Sequence, residues 1–557
     1  MLKTIQSWWS AAWVVRAIER MAALIAAIAR GCFLGRLMSV AWDDLPAVYA
    51  DSRCCQVWLR CREQLQSLGA KLPPLKHSYF LSQWPHWLVA DFAWLWQGSW
   101  LRRLLVFWQR YSVGLESSSE ATQSEQAPPR WRLLLYAVGA TLAVVFVFVL
   151  PQGGSLIKWA VLGILLVHVW VRPQLAVYAV AFLLPFLPIL SLTYLLLVAM
   201  VAHWLQGQRL ASRSSLLRTL AALFCLVALA AAFASPDKLP SLRYWRYYLA
   251  GFFLLALLLD TIQTETHLAR VVSWGLLAAM VVAGFSVWEY LGGAATNLSW
   301  VDIRVAAVRT RVVGTFDNPN MLAAYLVAWL PFAAARIFDK NSTIAVRLTN
   351  LFVTGLLGLS LVLTFSRGGW LAAAAALFVV VTLQAPRLLW ALPGLILLAP
   401  LVLPPIIWQR LLSIVNLEDT SNMVRLYVWD SSFQMFFHNW ILGIGQGLVP
   451  FARVYPIFQF GVVPALHAHS LILQLAVEGG IFLLLFFLWI SLATWRIATT
   501  RWEKAPVWAV PSAAALLGQL VHGLFDHTWY DVRLMLAFWL LVGLTLAAYR
   551  LRLGETR

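Results

Sequence analysis

The 557-residue chain is 61% hydrophobic and only 12% charged, whereas soluble domains carry roughly 25% charged residues. This composition excludes a soluble globular protein and predicts a polytopic membrane protein. We assign the net charge of +18 to basic cytoplasmic turns that fix topology and contact anionic lipid, because no segment resembles a nucleic-acid-binding module.

The N-terminal segment and the cysteines add two further exclusions. Charged residues at positions 16, 19 and 20 lie where a cleavable signal would have its apolar core, so no such signal is predicted. Cys54, Cys55 and Cys61 are too closely spaced, and they lack the second pair that a zinc site needs. Neither a disulfide framework nor a zinc site is therefore expected.

Residues 1–130 differ from the rest of the chain. They are rich in tryptophan and arginine, and charges break their apolar runs every few residues, as in SQWPHWLVADFAWLWQGSWLRRLLVFWQRY. This pattern is typical of amphipathic helices in the membrane interface, so we expect a cytoplasmic or interfacial extension. It ends in the polar linker ESSSEATQSEQAPP. The extension is either a plain membrane-surface segment or an arm that docks a partner or senses the membrane.

Residues 131–550 are predicted to form a polytopic membrane domain, because their apolar runs reach the roughly 17–25 residues that a spanning helix needs. Fourteen runs begin near residues 132, 155, 174, 190, 217, 243, 268, 321, 347, 368, 388, 469, 506 and 531. The third and fourth runs are separated only by Pro185, Pro188 and Ser191, and they could be two short helices. The expected fold is an all-α bundle of 12–14 spans.

The charges of the short turns predict the orientation of the spans. Alternate turns are basic, which places them and both termini in the cytoplasm. Four segments then face outward: 291–320, the turn around residue 366, 408–468 and 524–533. The outward segments also carry arginines, although the positive-inside rule places basic residues mainly in the cytoplasm. These arginines therefore require a functional explanation.

The first outward motif is RVVGTFDNPNMLAAYL, residues 311–326. We expect Asp317, Asn318 and their neighbours to form a turn before a helix that Asn320 caps. The turn is either an ordinary re-entry turn or a substrate-facing loop whose amides and Arg311 meet an anion.

Two further motifs place an arginine at the outer surface. In TFSRGGWL, Arg367 either snorkels or contacts a diphosphate, because a guanidinium binds phosphate as a two-pronged fork. Arg425 and Asp430 lie on a predicted amphipathic helix that begins at Asn422. The LGIGQG turn that follows is not interpreted as a nucleotide site, because no strand precedes it.

The fourth motif is HAHSLILQLAVEGG, in which His469 lies at the outer mouth of a span. This histidine is either a polar residue at a helix start or a general base. Glu478 follows nine residues later, about 13–14 Å along a helix axis, so it cannot touch His469. We expect Glu478 to be buried with a partner, and Gly479 and Gly480 to permit close helix packing.

Together, these motifs in this order resemble the O-antigen ligase and polymerase superfamily over residues 131–550. The ligase signature is a histidine, then Asn, Ser or Gln, nine residues and a glycine. Here it is met by His469, Ser470 and Gly480, whereas Leu483 departs from the expected Gly, Thr or Tyr. The resemblance implies a GT-C-like architecture with a long extracytoplasmic loop, residues 408–468, before the third-last helix.

The resemblance also implies the chemistry. A glycan on an undecaprenyl-diphosphate carrier is transferred to an acceptor hydroxyl, without metal or cofactor and with inversion, outside the bacterial inner membrane. Arg367 and Arg425 match the arginines that neutralise the diphosphate, and His469 matches the residue that positions or deprotonates the acceptor. Position alone adds a set of predicted substrate-binding residues: Arg311, Asp317, Asn318, Asn320 and Ser470.

A second resemblance provides the alternative function. NPNMLAAYLV, SRGGWLA, EDTSN and HGLFDHTWYD are similar to the cyanobacterial branch of the superfamily assigned to inorganic-carbon (bicarbonate) transport. A small-anion transporter or accessory protein is therefore the alternative, although His469 favours glycan chemistry. A membrane scaffold would leave the outward arginines unexplained. The sequence leaves open the glycan, the acceptor, the choice between ligase and polymerase, and the oligomeric state.

Overall fold

The structure is a computed structural model. It describes residues 100–113, 163, 165–206, 216–293, 310–414, 420–460, 463–499 and 507–552. Every regular element within these ranges is helical, which confirms the all-α prediction. The chain divides into two compact units, residues 1–71 with 213–216 and the remaining residues. Of the first unit, only Leu216 is among the described residues. All other described residues belong to the second unit.

The helices of the described residues are numbered in chain order. They are α1 (Trp100–Val113), α2 (Leu175–Leu183), α3 (Ile189–Leu205), α4 (Leu216–Ala234), α5 (Lys238–Thr261), α6 (Glu265–Leu291), α7 (Pro319–Phe338), α8 (Ile344–Leu363), α9 (Arg367–Gln384), α10 (Leu392–Val402), α11 (Pro405–Leu412), α12 (Thr420–His438), α13 (Leu448–Phe458), α14 (Leu471–Thr499), α15 (Ala509–Phe525) and α16 (Val532–Arg552). Short 3-10 turns cover Pro386–Ala391 and Thr528–Tyr530.

Eight of the described helices are long and apolar enough to cross a membrane: α4, α5, α6, α7, α8, α9, α14 and α16. Three shorter apolar helices, α3, α13 and α15, accompany them. The protein is therefore a multi-pass helical membrane protein, as the composition predicted. The runs near residues 132 and 155 lie outside the described residues, so the total of 12–14 spans stays a prediction.

Prolines interrupt the helices in two regions of the chain. The uncertain pair at 174–205 forms two short helices, α2 and α3, separated at Pro185 and Pro188. The run near residue 388 was predicted as one span, and this is wrong. It begins with a 3-10 turn and continues as α10 and α11, because Pro404 and Pro405 interrupt the helical hydrogen bonds.

The N-terminal extension is described only at its end, since residues 1–99 and the linker lie outside the described residues. Helix α1 packs against α6 and α8. Trp108 Nε1 donates a hydrogen bond to the Ser273 carbonyl at 3.0 Å, and Asn350 Nδ2 donates to the Ser112 carbonyl at 2.7 Å. The predicted boundary at residue 130 and the role of the extension stay predictions.

Helix α7 lies at the centre of the bundle, with 89% of its apolar window buried. It packs against α6, α8, α9 and α15. Close approach is possible where small residues face large ones. A Cβ on Gly275 of α6 would overlap the Trp329 ring of α7. The middle of α7 therefore packs closely against α6.

The start of α7 corrects one prediction. Its N-cap is Asn318, whose side chain accepts hydrogen bonds from the backbone N–H groups of Asn320 and Met321. The prediction that Asn320 is the cap is wrong by two residues, because Pro319 takes the first helical position, where no N–H is needed. The Asn320 side chain is then available for a different contact.

The GIGQG turn, residues 443–447, packs into a break in α14. The break lies at Gly480, whose φ of 67° and ψ of −165° are not helical. Ile444 N donates to the Val477 carbonyl and Ile481 N donates to the Trp440 carbonyl, so the turn and the residues just before it supply partners where the helix has none. A Cβ on Gly480 would overlap the Ile441 carbonyl oxygen. The glycines of both segments therefore serve backbone-to-backbone packing.

Candidate active site

A cavity of about 260 Å³ opens where α7, α9 and α12 begin and α15 ends. Its volume is close to the lower end of the roughly 300–1,000 Å³ typical of small-molecule sites. Four arginines from four segments of the chain line it: Arg311, Arg367, Arg410 and Arg425. The first turns of three helices also face this cavity, which places the positive ends of their dipoles at one point.

Arg311 is held on the turn before α7. It is 8% exposed, and its Nε donates to the Thr364 carbonyl at 2.9 Å. Its Nη2 donates to Asn320 Oδ1 at 3.3 Å. Burial, followed by the neighbouring charges of Arg410 and Arg367, lowers the pKa of Arg311 to about 9. The group is thus protonated at neutral pH and is surrounded by other positive charges.

Arg367 is the first residue of α9 and is also 8% exposed. Its Nη1 donates to the carbonyl and the hydroxyl of Ser413 at 2.9 and 3.2 Å. The two glycines that follow allow α9 to approach its neighbours. A Cβ on Gly368 would lie 3.1 Å from the His522 ring, and one on Gly369 would lie 2.6 Å from the Ala323 side chain. The motif SRGG thus fixes an arginine at a tight helix contact.

Arg410 and Arg425 come from the segment that was predicted to be an outer loop. Arg410 Nε donates to the Phe365 carbonyl at 3.4 Å. Arg425 Nε donates to the Phe525 carbonyl at 2.9 Å, and its Nη1 donates to Ser421 Oγ at 2.8 Å. Bonds to fixed backbone carbonyls hold both guanidinium groups in place beside the cavity.

His469 lies beside this cavity, and Asp526 connects the two. His469 Nδ1 is 3.9 Å from Asp526 Oδ1, which is ion-pair distance rather than a hydrogen bond. Asp526 lines the cavity and is 5% exposed, and its Oδ2 accepts from Asn320 Nδ2 at 2.7 Å. A polar chain therefore runs from Arg311 through Asn320 and Asp526 to His469.

The charge state of Asp526 follows from these neighbours. Burial raises the pKa of Asp526, but the contact with His469 and the positive charges of His469 and Arg425 more than offset this effect. The pKa of Asp526 therefore lies below its usual range, and the carboxylate stays ionised at neutral pH. The ionised carboxylate lies at ion-pair distance from His469 Nδ1.

His467 packs against His469 but is not among the residues that line the cavity. The two imidazole rings are 4.2 Å apart, and His467 Nδ1 accepts from the His469 backbone N–H at 3.2 Å. Burial and the charge of His469 lower the pKa of His467 to about 3, so it is neutral at pH 7. Trp429, which lines the cavity, donates from Nε1 to the His469 carbonyl at 3.3 Å.

One group of ligand-type side chains among the described residues could hold a metal ion. The ligand atoms of His467, His469 and Asp526 lie within 4.8 Å of one another. His467 Nδ1 already accepts a backbone hydrogen bond, so in the neutral ring Nε2 carries the proton and has no free lone pair for a metal ion. The fit to a metal ion is therefore poor, and the metal-free reaction stays a prediction.

Three predicted substrate-binding residues do not line the cavity. Asp317 is exposed on the turn before α7, with a φ of 54°. Asn318 caps α7. Ser470 is 4% exposed, and its hydroxyl bonds to the Gly523 carbonyl and the Leu473 N–H at the start of α14. Arg311 and Asn320 do line the cavity, and the roles of all five residues stay predictions.

Sequence reasoning missed several lining residues: Arg410, Trp429, His522 and Asp526. His522 and Asp526 belong to HGLFDHTWYD, part of which was predicted to face outward, and this placement could have identified Asp526. Arg410 lies near the start of the predicted loop 408–468. Its proximity to Phe365 depends on long-range packing, for which the local sequence carries no signal.

The family model described as O-antigen ligase matches residues 352–488. The matched range contains Arg367, Arg410, Arg425 and His469. No curated protein sequence matches the chain. The match confirms the resemblance to the O-antigen ligase and polymerase superfamily over this range, and it indicates a membrane glycosyltransferase of ligase or polymerase type. The resemblance to the bicarbonate-transporter branch is not confirmed.

Proposed function

We propose that this chain, which matches the O-antigen ligase family over residues 352–488, transfers a glycan from an undecaprenyl-diphosphate carrier to an acceptor hydroxyl. The reaction takes place at the extracytoplasmic face of the bacterial inner membrane, with both termini in the cytoplasm. It needs no metal ion and inverts the configuration at the sugar carbon. The partners are the lipid-linked donor, a glycan or lipid-linked acceptor, and membrane lipid.

The observation that carries the proposal is the convergence of guanidinium groups on one cavity with an imidazole beside it. Arginines from four separate segments line the cavity, and several are fixed by bonds to backbone carbonyls. One guanidinium group can donate two parallel hydrogen bonds to two oxygens of a phosphate. A diphosphate that spans such a cavity would meet donors on several sides, while its lipid tail remains in the bilayer.

The reaction proposed at this site is a displacement at the anomeric carbon. The acceptor oxygen forms a bond to that carbon while the bond from the carbon to the phosphate oxygen breaks. The electron pair of the broken bond goes to the departing diphosphate, which gains negative charge. Fixed guanidinium groups stabilise this charge in the transition state. In-line attack opposite the leaving group gives inversion.

The acceptor proton goes to His469. In its neutral form the His469 ring accepts the hydroxyl proton as the new bond forms, which is worth about 10²–10⁴-fold in rate. The ionised Asp526 carboxylate, at 3.9 Å from His469 Nδ1, stabilises the imidazolium that results. Asn320 holds the other carboxylate oxygen, so the carboxylate keeps its orientation towards the ring.

The proposal is tested with purified protein, a lipid-diphosphate glycan donor and an acceptor glycan. We expect His469→Ala to lower product formation by about 10²–10⁴-fold. His438→Ala, at an exposed histidine of α12, should leave it unchanged. Product formation by His469→Ala at the wild-type rate would contradict the proposal. Uptake of labelled bicarbonate into proteoliposomes without any glycan product would support transport instead.

A further inference from the structure

A second polar network lies inside the protein behind His469 and does not line the cavity. It consists of Gln474 and Glu478 on α14, Tyr248 on α5 and the backbone of Gly447. The three side chains are 0%, 1% and 1% exposed, respectively. Buried polar groups of this kind are retained when each of them is hydrogen-bonded.

The network reaches the histidine turn through the side chain of Gln474. Gln474 Oε1 accepts a hydrogen bond from the Ala468 backbone N–H at 2.8 Å. Gln474 Nε2 donates to Glu478 Oε1 at 2.9 Å. Because an amide group has one acceptor end and one donor end, the carboxylate fixes which end of Gln474 faces the turn.

The turn needs such support, because His469 adopts a φ of 48°. A residue other than glycine is uncommon in this left-handed region, and it persists where the surroundings determine the conformation. The bond from Ala468 N to Gln474 lies directly before the strained residue. Release of this bond would let the turn relax and would move the imidazole away from Asp526.

Glu478 is itself fixed by groups outside its helix. Its Oε1 also accepts from the Gly447 N–H at 3.0 Å, and its Oε2 accepts from the Tyr248 hydroxyl at 3.0 Å. The GIGQG turn passes so close that a Cβ on Gly443 would lie 2.5 Å from the Glu478 carbonyl carbon. The turn, the break in α14 and the carboxylate thus form one rigid support.

We propose that Gln474 and Glu478 are positioning residues that hold the His469 turn in its left-handed conformation, so that the imidazole faces Asp526 and the acceptor. The inference rests on the proposed function, because it assigns these residues to the base of that reaction. Neither side chain is among the residues that line the arginine cavity. Loss of the network should therefore slow the transfer step and leave binding of the donor diphosphate intact.

The test compares substitutions in the network with a matched control. Gln474→Leu keeps the side chain's approximate size but cannot accept from Ala468. We expect it to lower kcat by about 10- to 100-fold, the effect typical of a misplaced catalytic group, with little change in the donor KM. Ser491→Ala, at a buried hydroxyl in the other half of α14 that bonds only locally to Phe487, should leave both constants unchanged.

Two further variants separate positioning from a merely structural role. Glu478→Gln can still accept from Gln474 Nε2 and Gly447 N–H through its amide oxygen, and its amide nitrogen can donate to the Tyr248 hydroxyl oxygen. This conservative variant should therefore keep most of the wild-type kcat. In a His469→Ala background, Gln474→Leu should cause no additional loss, because it acts through the histidine. The thermal unfolding midpoint of each variant verifies that the protein is folded.

The outcomes distinguish this inference from the proposed function. If His469→Ala is inactive while Gln474→Leu retains the wild-type kcat, the inference is wrong and the proposed function stands. If His469→Ala retains the wild-type kcat, the proposed function itself is wrong. An additional loss caused by Gln474→Leu in the His469→Ala background, or a raised donor KM, would show a structural role and overturn the inference.

Discussion

Buried arginines occur in two settings in this membrane domain. At the last turn of α7 and between α4 and α5, an arginine pairs directly with a carboxylate: Arg336 with Asp339, and Arg218 with Asp260, each at 2.5 Å. On the turn before α7 and at the start of α9, Arg311 and Arg367 donate to backbone carbonyls and line a cavity.

The difference shows how to separate structural from functional charges inside a bundle. A direct arginine–carboxylate pair neutralises itself, and its contribution is to the assembly of the helices. Guanidinium groups that line a cavity can also donate hydrogen bonds to an anion that enters it. Burial alone does not make this distinction, because Arg218 and Arg367 are 4% and 8% exposed.

The largest effect expected from this comparison is at Arg367. Arg367→Ala removes a guanidinium that the proposed reaction uses against the charge of the leaving diphosphate, so we expect about 10²–10³-fold lower kcat. Arg453→Ala is the matched control, since the Arg453 side chain is 62% exposed and pairs with Asp237. Product formation from the lipid-linked donor measures both. Equal activity in the two variants would remove the distinction between cavity and surface arginines.

At Asp260 we expect the opposite result, a loss of stability without a loss of activity. Its Oδ1 accepts from Arg218 Nη2 at 2.5 Å, and its Oδ2 lies 3.5 Å from His203 Nε2. Asp260→Asn removes one partner of a buried pair and should lower the free energy of unfolding by about 3 kcal/mol. The kcat of the folded protein should not change. Unfolding in a denaturing detergent measures the first quantity, and a lower kcat at unchanged stability would assign this pair to function.

The sequence predicts some features of the site and not others. The motifs placed Arg311, Arg367 and Arg425 on one side of the membrane domain, because the order of apolar runs and basic turns determines which ends of the helices meet. The sequence also predicted that Glu478 is buried with a partner. These properties depend on local composition and chain order, which a single sequence displays.

The remaining features depend on contacts between distant segments. Nothing local indicates that Gln474 bonds to Ala468, or that Asp526 connects Asn320 to His469. The GIGQG motif gave no hint that it fills a break in α14 at Gly480, since the match between the two segments exists only in the fold. Pro404 and Pro405 did carry a local signal, and its omission is why the run near residue 388 was predicted as one helix.

A smaller effect concerns the stability of the histidine turn at acid pH. The pKa of His467 is lowered to about 3 by burial and by the charge of His469, so the unfolded chain binds a proton below about pH 6.5 that the folded protein does not. Stability should therefore fall as the pH decreases from about 6.5 towards 3, by about 1 kcal/mol over the first unit.

His467→Gln should remove this part of the pH dependence, and the measurement is the unfolding free energy at pH 7.0 and 5.5. His438→Gln, at an exposed histidine, is the control and should keep the wild-type slope. If His467→Gln also retains that slope, the acid sensitivity does not arise at the turn.

The last prediction is that a chelator has no effect on product formation. His467, His469 and Asp526 lie close enough to bind a divalent cation, yet the positive charges of Arg425 and Arg311, which both act electrostatically on Asp526, would disfavour a cation there. The arginines already provide the positive charge that a metal ion would supply to a departing diphosphate. Product formation in EDTA should therefore equal that in buffer. A loss that Mg²⁺ or Zn²⁺ restores would mean that the arginines do not suffice and that the histidine pair is a metal site.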